Sequence, residues 1–494
     1  MTTSVRKPAS PTVGKSADEP IDALIVGMGP SGMVCLRNLL RNDPPLAVVA
    51  VERQDIPGGI WTGHIPAYST LQDLKIEYEV HGVKFPEEEP ARRAPRDQVA
   101  AFCDAYVTEF KLRQRVLWQH EVTSVEMIKP MLHKATIGPV TGVEGATRTI
   151  FTRSVLVCSG HNVHEYVPRF PGQETATFPI KHNNEIRDPS DLPASDIVVV
   201  GAGPSAMDIV QEACLTQKAT NVHVVARVAH WGAPDMWWPW MWKHGWSELH
   251  VLRVLYRLLP IFVVDTFLYC VTLIWAILHG VPEWSPPFGT FPSLQSGWRL
   301  IHHEEKITDY STRTVSNSTD DAPSSKVGYI LRTHLVAPYR AGRFHIHNDT
   351  TVKSISGNTL ELSDGTMLTP TLVVAATGWS TDTSFLPGGT GPGDYDSLAV
   401  ADIDRPMYLR FYDQRHPGIF YVSVSNGFMT YTENASFLSQ AVERILRGEW
   451  TPPPPAGMRK NCREVVLHHV GLPGLLQTDL ERAGFRNLRT KDVR

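Results

Sequence analysis

The chain has 494 residues, 42% of them hydrophobic and 20% charged, with a formal net charge of −4 at pH 7. That length calls for two or three globular units, and the near-balanced charge speaks against a nucleic-acid partner. Six scattered cysteines (35, 103, 158, 214, 270 and 462) show neither CxxC nor zinc spacing, which excludes a disulfide scaffold and a metal module and favours a reducing, cytoplasmic setting.

Residues 1–20 are rich in Ser, Thr, Pro and Lys and read as a flexible leader; no secretory signal is expected there. The short apolar run Ile21–Val26 stops at Gly27-Met28-Gly29-Pro30-Ser31-Gly32, and an amphipathic stretch from Met33 to Arg41 leads to a second apolar run, Ala47–Val51, that ends on Glu52. Apolar run, glycine turn, helix and apolar run describe a parallel βαβ unit. The same order returns with Asp196–Val200, then Gly201-Ala202-Gly203-Pro204-Ser205-Ala206, a helical stretch from Met207 to Thr216, and Val222–Ala226 followed by Arg227. Residues 352–383 alternate as short strands, with Ser363-Asp364-Gly365 as a hairpin turn.

Composition shifts between these regions. Six of the 13 tryptophans fall in 231–246, residues 258–278 are almost wholly apolar, and 311–326 is a Ser/Thr/Asp loop. The segment 231–327 therefore reads as an insertion in the second unit. The apolar run 258–278 admits three readings: a buried helix pair lining a substrate tunnel, membrane-surface contact through 231–280 beside the interfacial tryptophans, or a dimer interface. Spanning a bilayer is not expected, because an internal span would separate the two halves of one bipartite protein.

The glycine spacing has a physical cause. The first glycine permits the tight turn, the second lets backbone approach a pyrophosphate, and a small third residue lets helix pack on strand. The helix N-terminus then offers free N–H groups to the phosphates. Glu52 can accept from ribose hydroxyls and would repel a 2′-phosphate, so the first unit suits FAD or NAD; Arg227 can pair with a 2′-phosphate and points to NADPH. Two dinucleotides in one chain imply electron transfer from NADPH to a flavin. The expected fold is α/β with two Rossmann-like dinucleotide-binding domains, the second carrying a mostly helical, Trp-rich insertion. The FAD-binding domain is placed at 21–190 and 336–450, the NADPH-binding domain at 191–335, and a C-terminal extension at 451–494.

At these residues the sequence resembles the flavin-containing monooxygenases. Gly27–Gly32 with Glu52 resembles the family's FAD fingerprint, and Glu52, Gly58, Gly59, Ile60 and Trp61 its Glu…Gly-Gly-x-Trp segment. Residues 156–172 resemble its Gly-His turn and Phe-Pro-Gly crossover, Gly201–Ala206 its second fingerprint, and Ala376-Thr377-Gly378-Trp379 its "ATG" motif. The resemblance covers most of 21–230 and 330–450. It departs at the F-x-G-x-x-x-H signature, since Gly172 is ten residues before His182 and Phe178 four before it. It departs again where relatives place an Asn six residues after a Tyr, since Tyr68 is followed there by Leu74. Residues 69–78 instead resemble a plant and fungal branch reading L-Q-x-x-K-x-x-Y, which makes Gln72 the flavin-side candidate, with Lys75 and Tyr78 next.

The resemblance implies an FAD- and NADPH-dependent monooxygenase that inserts one oxygen atom of O2 into an apolar small molecule through a C4a-(hydro)peroxyflavin. Near the C-terminus a helix beginning around Asn434 would point its N-terminus at the flavin, with Thr432 and Asn434 as contacts or as ordinary helix caps. Gly27, Gly29, Pro30, Ser31, Gly32, Glu52, Gly59, Ile60, Trp61, Gln72, Thr377, Gly378 and Thr432 are the FAD-side candidates; Gly201, Gly203, Pro204, Ser205, Ala206 and Arg227 are the NADPH-side ones. Gln72, Tyr78 and Asn434 are the candidate catalytic residues, and no metal is expected. The alternatives are a flavin oxidase or dehydrogenase of the same fold, and a non-catalytic, membrane-associated nucleotide-binding protein.

Overall fold

The computed structural model describes residues 14–41, 45–71, 74–86, 93–160, 163–226, 231–232, 259, 261–282, 328–329, 335–380, 382–389, 407–408, 412–422 and 431–451. In chain order these form β1 (Ile21–Val26), α1 (Pro30–Leu40), β2 (Val48–Glu52), α2 (Lys75–Tyr78), α3 (Arg96–Glu109), β3 (Val116–Trp118), β4 (His120–Lys129), β5 (Leu132–Pro139) and β6 (Arg148–Val157). Next come β7 (His164–Glu165), β8 (Ile180–His182), β9 (Ile197–Val200), α4 (Pro204–Gln211), β10 (Val222–Ala226), β11 (Trp231–Gly232), α5 (Ile261–Leu278), β12 (Gly328–Tyr329) and α6 (Val336–Arg340). The chain closes with β13 (Phe344–Asn348), β14 (Val352–Ser356), β15 (Thr359–Leu362), β16 (Met367–Leu368), β17 (Leu372–Ala375), β18 (Trp379–Ser380), β19 (Met407–Tyr408), β20 (Tyr412–Asp413), β21 (Ile419–Tyr421) and α7 (Tyr431–Leu446).

The first sheet runs β19-β20-β21-β6-β1-β2-β3, with the antiparallel pair β4–β5 attached to β6. Both faces of β1 are covered: α1, α3 and α7 bury one, while the β4–β5 side buries the other. The second sheet, β13-β10-β9-β17-β8, is parallel throughout, and its central strands β9 (Ile-Val-Val-Val) and β17 (Leu-Val-Val-Ala) are correspondingly continuous in aliphatic residues. Helix α4 covers one face and the antiparallel β14–β15–β16 sheet covers the other. The turn at 363–366 joins β15 to β16, as its Ser-Asp-Gly sequence predicts.

Strand pairing moves the expected domain boundary. The division at 335/336 assigns Phe344–Asn348 and Leu372–Ala375 to the first unit, yet β13 and β17 pair with β10 and β9, and β8 at 180–182 joins them. Short strands carry no label of the sheet they join, since register and partner are set by tertiary packing. The stretch 231–327, expected to be an insertion, falls in the connection between the adjacent parallel strands β10 and β13, residues 227–343. Of its apolar run, 261–278 forms one helix, α5, rather than a helix pair. At 18 residues it is about 27 Å long, and among the described residues no helix is long and apolar enough to cross a membrane. Its expected burial is only partial: Ala276 is buried and Trp275 packs on the second core, but Phe267, Ile274, Ile277 and Leu278 are exposed, Leu278 by 78%. A helix apolar on every side has more surface than one sheet-and-helix layer can cover.

Helix α1, expected to be amphipathic, is buried from Ser31 to Leu39. It lies between the sheet and α7, where Asn38 Nδ2 donates to Ser439 Oγ at 2.9 Å and Cys35 Sγ to the Ala435 carbonyl. The polar positions of α1 thus meet a polar stripe of a second helix rather than water.

The second unit also carries a histidine cluster. His223 on β10 stacks on His345 of β13 with centroids 4.6 Å apart, and its Nδ1 lies 3.1 Å from His347 Nε2. Burial, followed by the neighbouring imidazoles, pushes the His223 pKa down to about 4, and burial lowers His347 as well. The folded state therefore binds fewer protons than the unfolded chain between pH 6.5 and 4. This contribution to stability is complete above about pH 6.5 and is lost as pH falls toward 4. The thermal unfolding midpoint should fall over that window, and His223→Phe should flatten the fall; an equally steep profile in the variant would count against it.

Candidate functional site

The first glycine turn leaves β1 at Val26. Gly27 adopts φ +99° and donates its N–H to the Val51 carbonyl, which locks the turn between β1 and β2. A Cβ on Gly32 would sit 1.9 Å from the Gly27 carbonyl oxygen, so helix and turn approach as closely as glycine allows. Gly29 caps α1 with no side-chain hydrogen bond, and no acidic residue occupies the first turn. The helix N-terminus is left open to an anion.

Two further pieces close this cradle. Gly58 and Gly59, at φ +128° and +60°, fold the Glu-x-x-x-x-x-Gly-Gly-x-Trp segment back so that Gly58 N–H meets the Met28 carbonyl at 3.0 Å. Trp61 is then buried against the first core. Glu52 is 7% exposed; Oε2 accepts from Met28 N–H at 2.6 Å and Oε1 from Gln54 N–H at 2.9 Å. Burial pushes its carboxyl above the ordinary range, against the opposing effect of those two amides. The result is a cavity of about 220 Å³ whose walls include Gly27, Gly29, Pro30, Ser31, Glu52 and Trp61, together with Gly59 and Ile60. Eight of the FAD-side candidates are thereby brought together, and Gly32 supports them from behind. The uncapped helix end, the space above Gly29 and the carboxylate at the end of β2 fit a pyrophosphate and a ribose.

The second turn repeats the geometry. Gly201 has φ +111° and donates to Val225 O, and its Cβ would lie 2.2 Å from Ala376 O. Gly203 caps α4 with open space where its Cβ would be, and Pro204, Ser205 and Ala206 begin the helix. Ala206 is fully buried at the position equivalent to Gly32. These residues fit a second pyrophosphate. Arg227 lies outside the described residues.

Both cradles abut a paired crossover. The chain leaves the first sheet through β7 and returns from the second through β18, and these two strands pair antiparallel. Thr377 and Gly378, expected on the cofactor, serve here: the Thr377 hydroxyl donates to the Tyr166 carbonyl, and Gly378 O accepts from Tyr166 N–H at 3.1 Å. His182, at the end of β8, is buried; its Nδ1 accepts from Asn184 N–H at 3.2 Å, so Nε2 carries the proton and donates to Gly378 O at 3.1 Å. Its pKa is lowered, by burial first, which keeps it neutral. Its ring stands edge-on to Trp379 at 5.0 Å. Despite its displaced spacing, His182 is thus built into the junction.

The other candidates divide. Tyr78 is buried in α2, and its carbonyl accepts from Thr432 Oγ1 at 3.0 Å. Helix α7 begins at Tyr431 rather than near Asn434, so Thr432 lies inside the first turn and ties α7 to α2 instead of capping the helix. The helix starts early because Ala435, Leu438 and Val442 bury a face that Thr432 extends. Asn434 falls in the same turn, with its side chain outside the described residues, as is Gln72. Lys75 is 1% exposed, with its ammonium 6.0 Å from the Phe85 ring centroid. Cys35 and Cys158 are free and buried, as small apolar residues would be. Among the described residues no group of three or more His, Cys, Asp or Glu could hold a metal ion.

His64, Asp382 and Phe385 lie outside the motifs and also line the cavity. Nor do the motifs disclose Arg187, whose guanidinium donates to Gly63 O and His64 O at 3.2 and 2.8 Å, or the bond from Tyr68 Oη to Ile186 O at 2.8 Å. These residues meet only when the units pack together.

Residues 22–241 match the family model described as FMO-like, flavin-binding monooxygenase-like. The indole-3-pyruvate monooxygenase YUCCA1 of Oryza sativa subsp. japonica is 26% identical over 246 residues, covering 50% of this chain and 56% of that protein. It agrees with the plant-type branch to which residues 69–78 point. The chain spans about half the length of the curated relatives it matches. Cyclohexanone monooxygenase in an open crystal structure aligns with a TM-score of 0.59 at 16% identity, over 95% of this chain and 99% of that one. An oxidized steroid monooxygenase bound to NADP aligns with a TM-score of 0.57 at 16% identity, over 95% and 99%. The overall architecture is therefore that of the two-domain flavin monooxygenases, and residues 22–241 are similar to the flavin-binding monooxygenase-like family.

Proposed function

We propose that the protein is an FAD-dependent, NADPH-consuming monooxygenase that places one oxygen atom of O2 into an apolar small molecule. The observation that carries this reading is the pairing of two glycine cradles across one double crossover, the first with a buried carboxylate at the end of β2. Bound flavin would supply the hydride acceptor and the oxygen-activating centre, and NADPH the hydride.

The chain's own residues bind, orient and exclude water. Gly27–Gly32 and the α1 N-terminus would hold the FAD pyrophosphate, and Glu52 the ribose hydroxyls. Gly201–Ala206 would hold the second pyrophosphate and Arg227 the 2′-phosphate. Neutral His182, fixed between Asn184 N–H and Gly378 O, keeps the crossover closed without placing a charge beside the cofactors. Trp61 and Trp379 supply apolar bulk that keeps water out. Gln72, Tyr78, Asn434 and Thr432 remain the flavin-side candidates within this proposal. The apolar side chains exposed on α5 support an apolar substrate, or a membrane surface, being met through 231–280; flotation with liposomes separates the two.

The test is stopped-flow mixing of purified protein with NADPH and then with O2 and substrate. Flavin should bleach with NADPH faster than with NADH, and 18O from O2 should enter product. Arg227→Ala should erase the preference for NADPH. Flavin reduction without 18O in any product would leave an oxidase or dehydrogenase of the same fold.

A further inference from the structure

Three hydrogen bonds join a loop of the first unit to one turn of the second. Gly59, Ile60 and Trp61 wall the first cavity, and the chain runs on from them through Gly63 and His64 to Tyr68. Arg187 Nη1 donates to both Gly63 O and His64 O, at 3.2 and 2.8 Å, and Tyr68 Oη donates to Ile186 O at 2.8 Å. Each end of this clasp is fixed in its own unit. On the first side, Ile65 is buried in the first core, its N–H meets Ile60 O at 3.2 Å, and its carbonyl accepts from Arg96 Nη1 at 3.1 Å. On the second side, Ile186 is fully buried in the second core, against which Tyr68 also packs. The amides of Arg187 and Asp188 donate to Asp191 Oδ2 at 2.8 and 3.0 Å, which fixes the turn that carries the guanidinium. A loop anchored in a close-packed core on each side transmits position rather than absorbing it.

We propose, on the FAD and NADPH reading of the two cradles, that Arg187 and Tyr68 are positioning residues that hold the second cradle at its working distance and angle from the first cavity. The crossover pairs two strands of only two residues each. The clasp adds attachments outside that pair, and separate attachments resist a rotation that one short pair would allow. Neither residue has to touch a cofactor. Hydride transfer needs its reacting atoms within about 3–3.5 Å, and a displacement of about 1 Å from a distant change costs up to about 100-fold in rate. Arg187 is exposed, so water replaces it at both carbonyls when it is removed, and the change falls on geometry rather than on folding.

The experiment pairs two measurements on the full-chain protein for wild type, Arg187→Met, Arg187→Lys and Tyr68→Phe. Hydrogen–deuterium exchange on peptides covering 59–69 needs no turnover. It should quicken there in Arg187→Met and Tyr68→Phe, while peptides covering β1 and β9 keep the wild-type rate. Anaerobic stopped-flow mixing with saturating NADPH then reads flavin reduction. It should slow about tenfold in Arg187→Met and about threefold in Tyr68→Phe, with bound FAD per chain and the unfolding temperature unchanged and the NADPH dissociation constant within about twofold. The isotope effect with C4-dideuterated NADPH should be at least as large as in wild type, which places the loss in hydride transfer. Arg187→Lys should recover both measurements, because both Arg187 bonds leave one nitrogen and an ammonium can supply them. Wild-type exchange or wild-type reduction in Arg187→Met, or a slowing matched by lost FAD, would overturn the inference and leave the flavoprotein reading intact. Wild-type protein whose flavin NADPH does not bleach would overturn the reading itself.

Discussion

Gly32→Ala is expected to yield protein without flavin and with a clearly lowered unfolding temperature. The added Cβ would lie 1.9 Å from the Gly27 carbonyl oxygen, a backbone atom that cannot rotate away. Helix α1 would have to lift from the turn, and α1 is buried on nearly every side by the sheet and α7. Overpacking of this kind costs about 3 kcal/mol, a large part of the ~5–15 kcal/mol that holds a typical domain together, and it opens the cradle as well. Gly203→Ala is the contrasting case. No atom lies within 4 Å of its Cβ position, so the variant should unfold at the wild-type temperature yet lose NADPH binding, because the methyl stands where a pyrophosphate must approach. Flavin absorbance per chain, calorimetry and NADPH titration read all three outcomes. Stoichiometric flavin in Gly32→Ala at an unchanged unfolding temperature would refute the packing argument.

Glu52→Ala should weaken FAD binding by about two orders of magnitude. Two backbone amides, Met28 N–H and Gln54 N–H, lose their acceptor at once. Met28 is 0% exposed, so water cannot reach its amide without disturbing the turn, and an orphaned donor costs about 1–3 kcal/mol. The ribose would lose its carboxylate in the same step. Glu52→Gln keeps one acceptor oxygen but turns an NH2 group toward the other amide, so its loss should fall between wild type and alanine. Dialysis of the holoproteins gives the order; equal affinities for alanine and wild type would show that Glu52 supports the turn without touching the ligand.

These variants concern residues that local sequence could identify, and that is where sequence reading is strongest. A glycine turn between an apolar run and a helix is a local object: its φ angles, its helix start and the carboxylate 20 residues later all lie within one βαβ unit. Nearly all the first-turn candidates accordingly line one cavity. The composition shift at 231–327 falls within the connection between β10 and β13.

What the sequence by itself determined was two βαβ units with glycine turns, the close approach of turn and helix in each, and the carboxylate that ends β2, because those depend on backbone conformation over short spans. Only the tertiary structure decided that 344–348 and 372–375 belong to the second sheet, that Thr377 and Gly378 bind the crossover, and that Thr432 reaches Tyr78. The same holds for the cavity wall contributed by Asp382 and Phe385 and for the grip of Arg187 on the loop at 63–64. Each of these joins residues more than 100 positions apart, where strand partner and side-chain contact follow from how two cores bury their faces. No pattern along the chain records that choice.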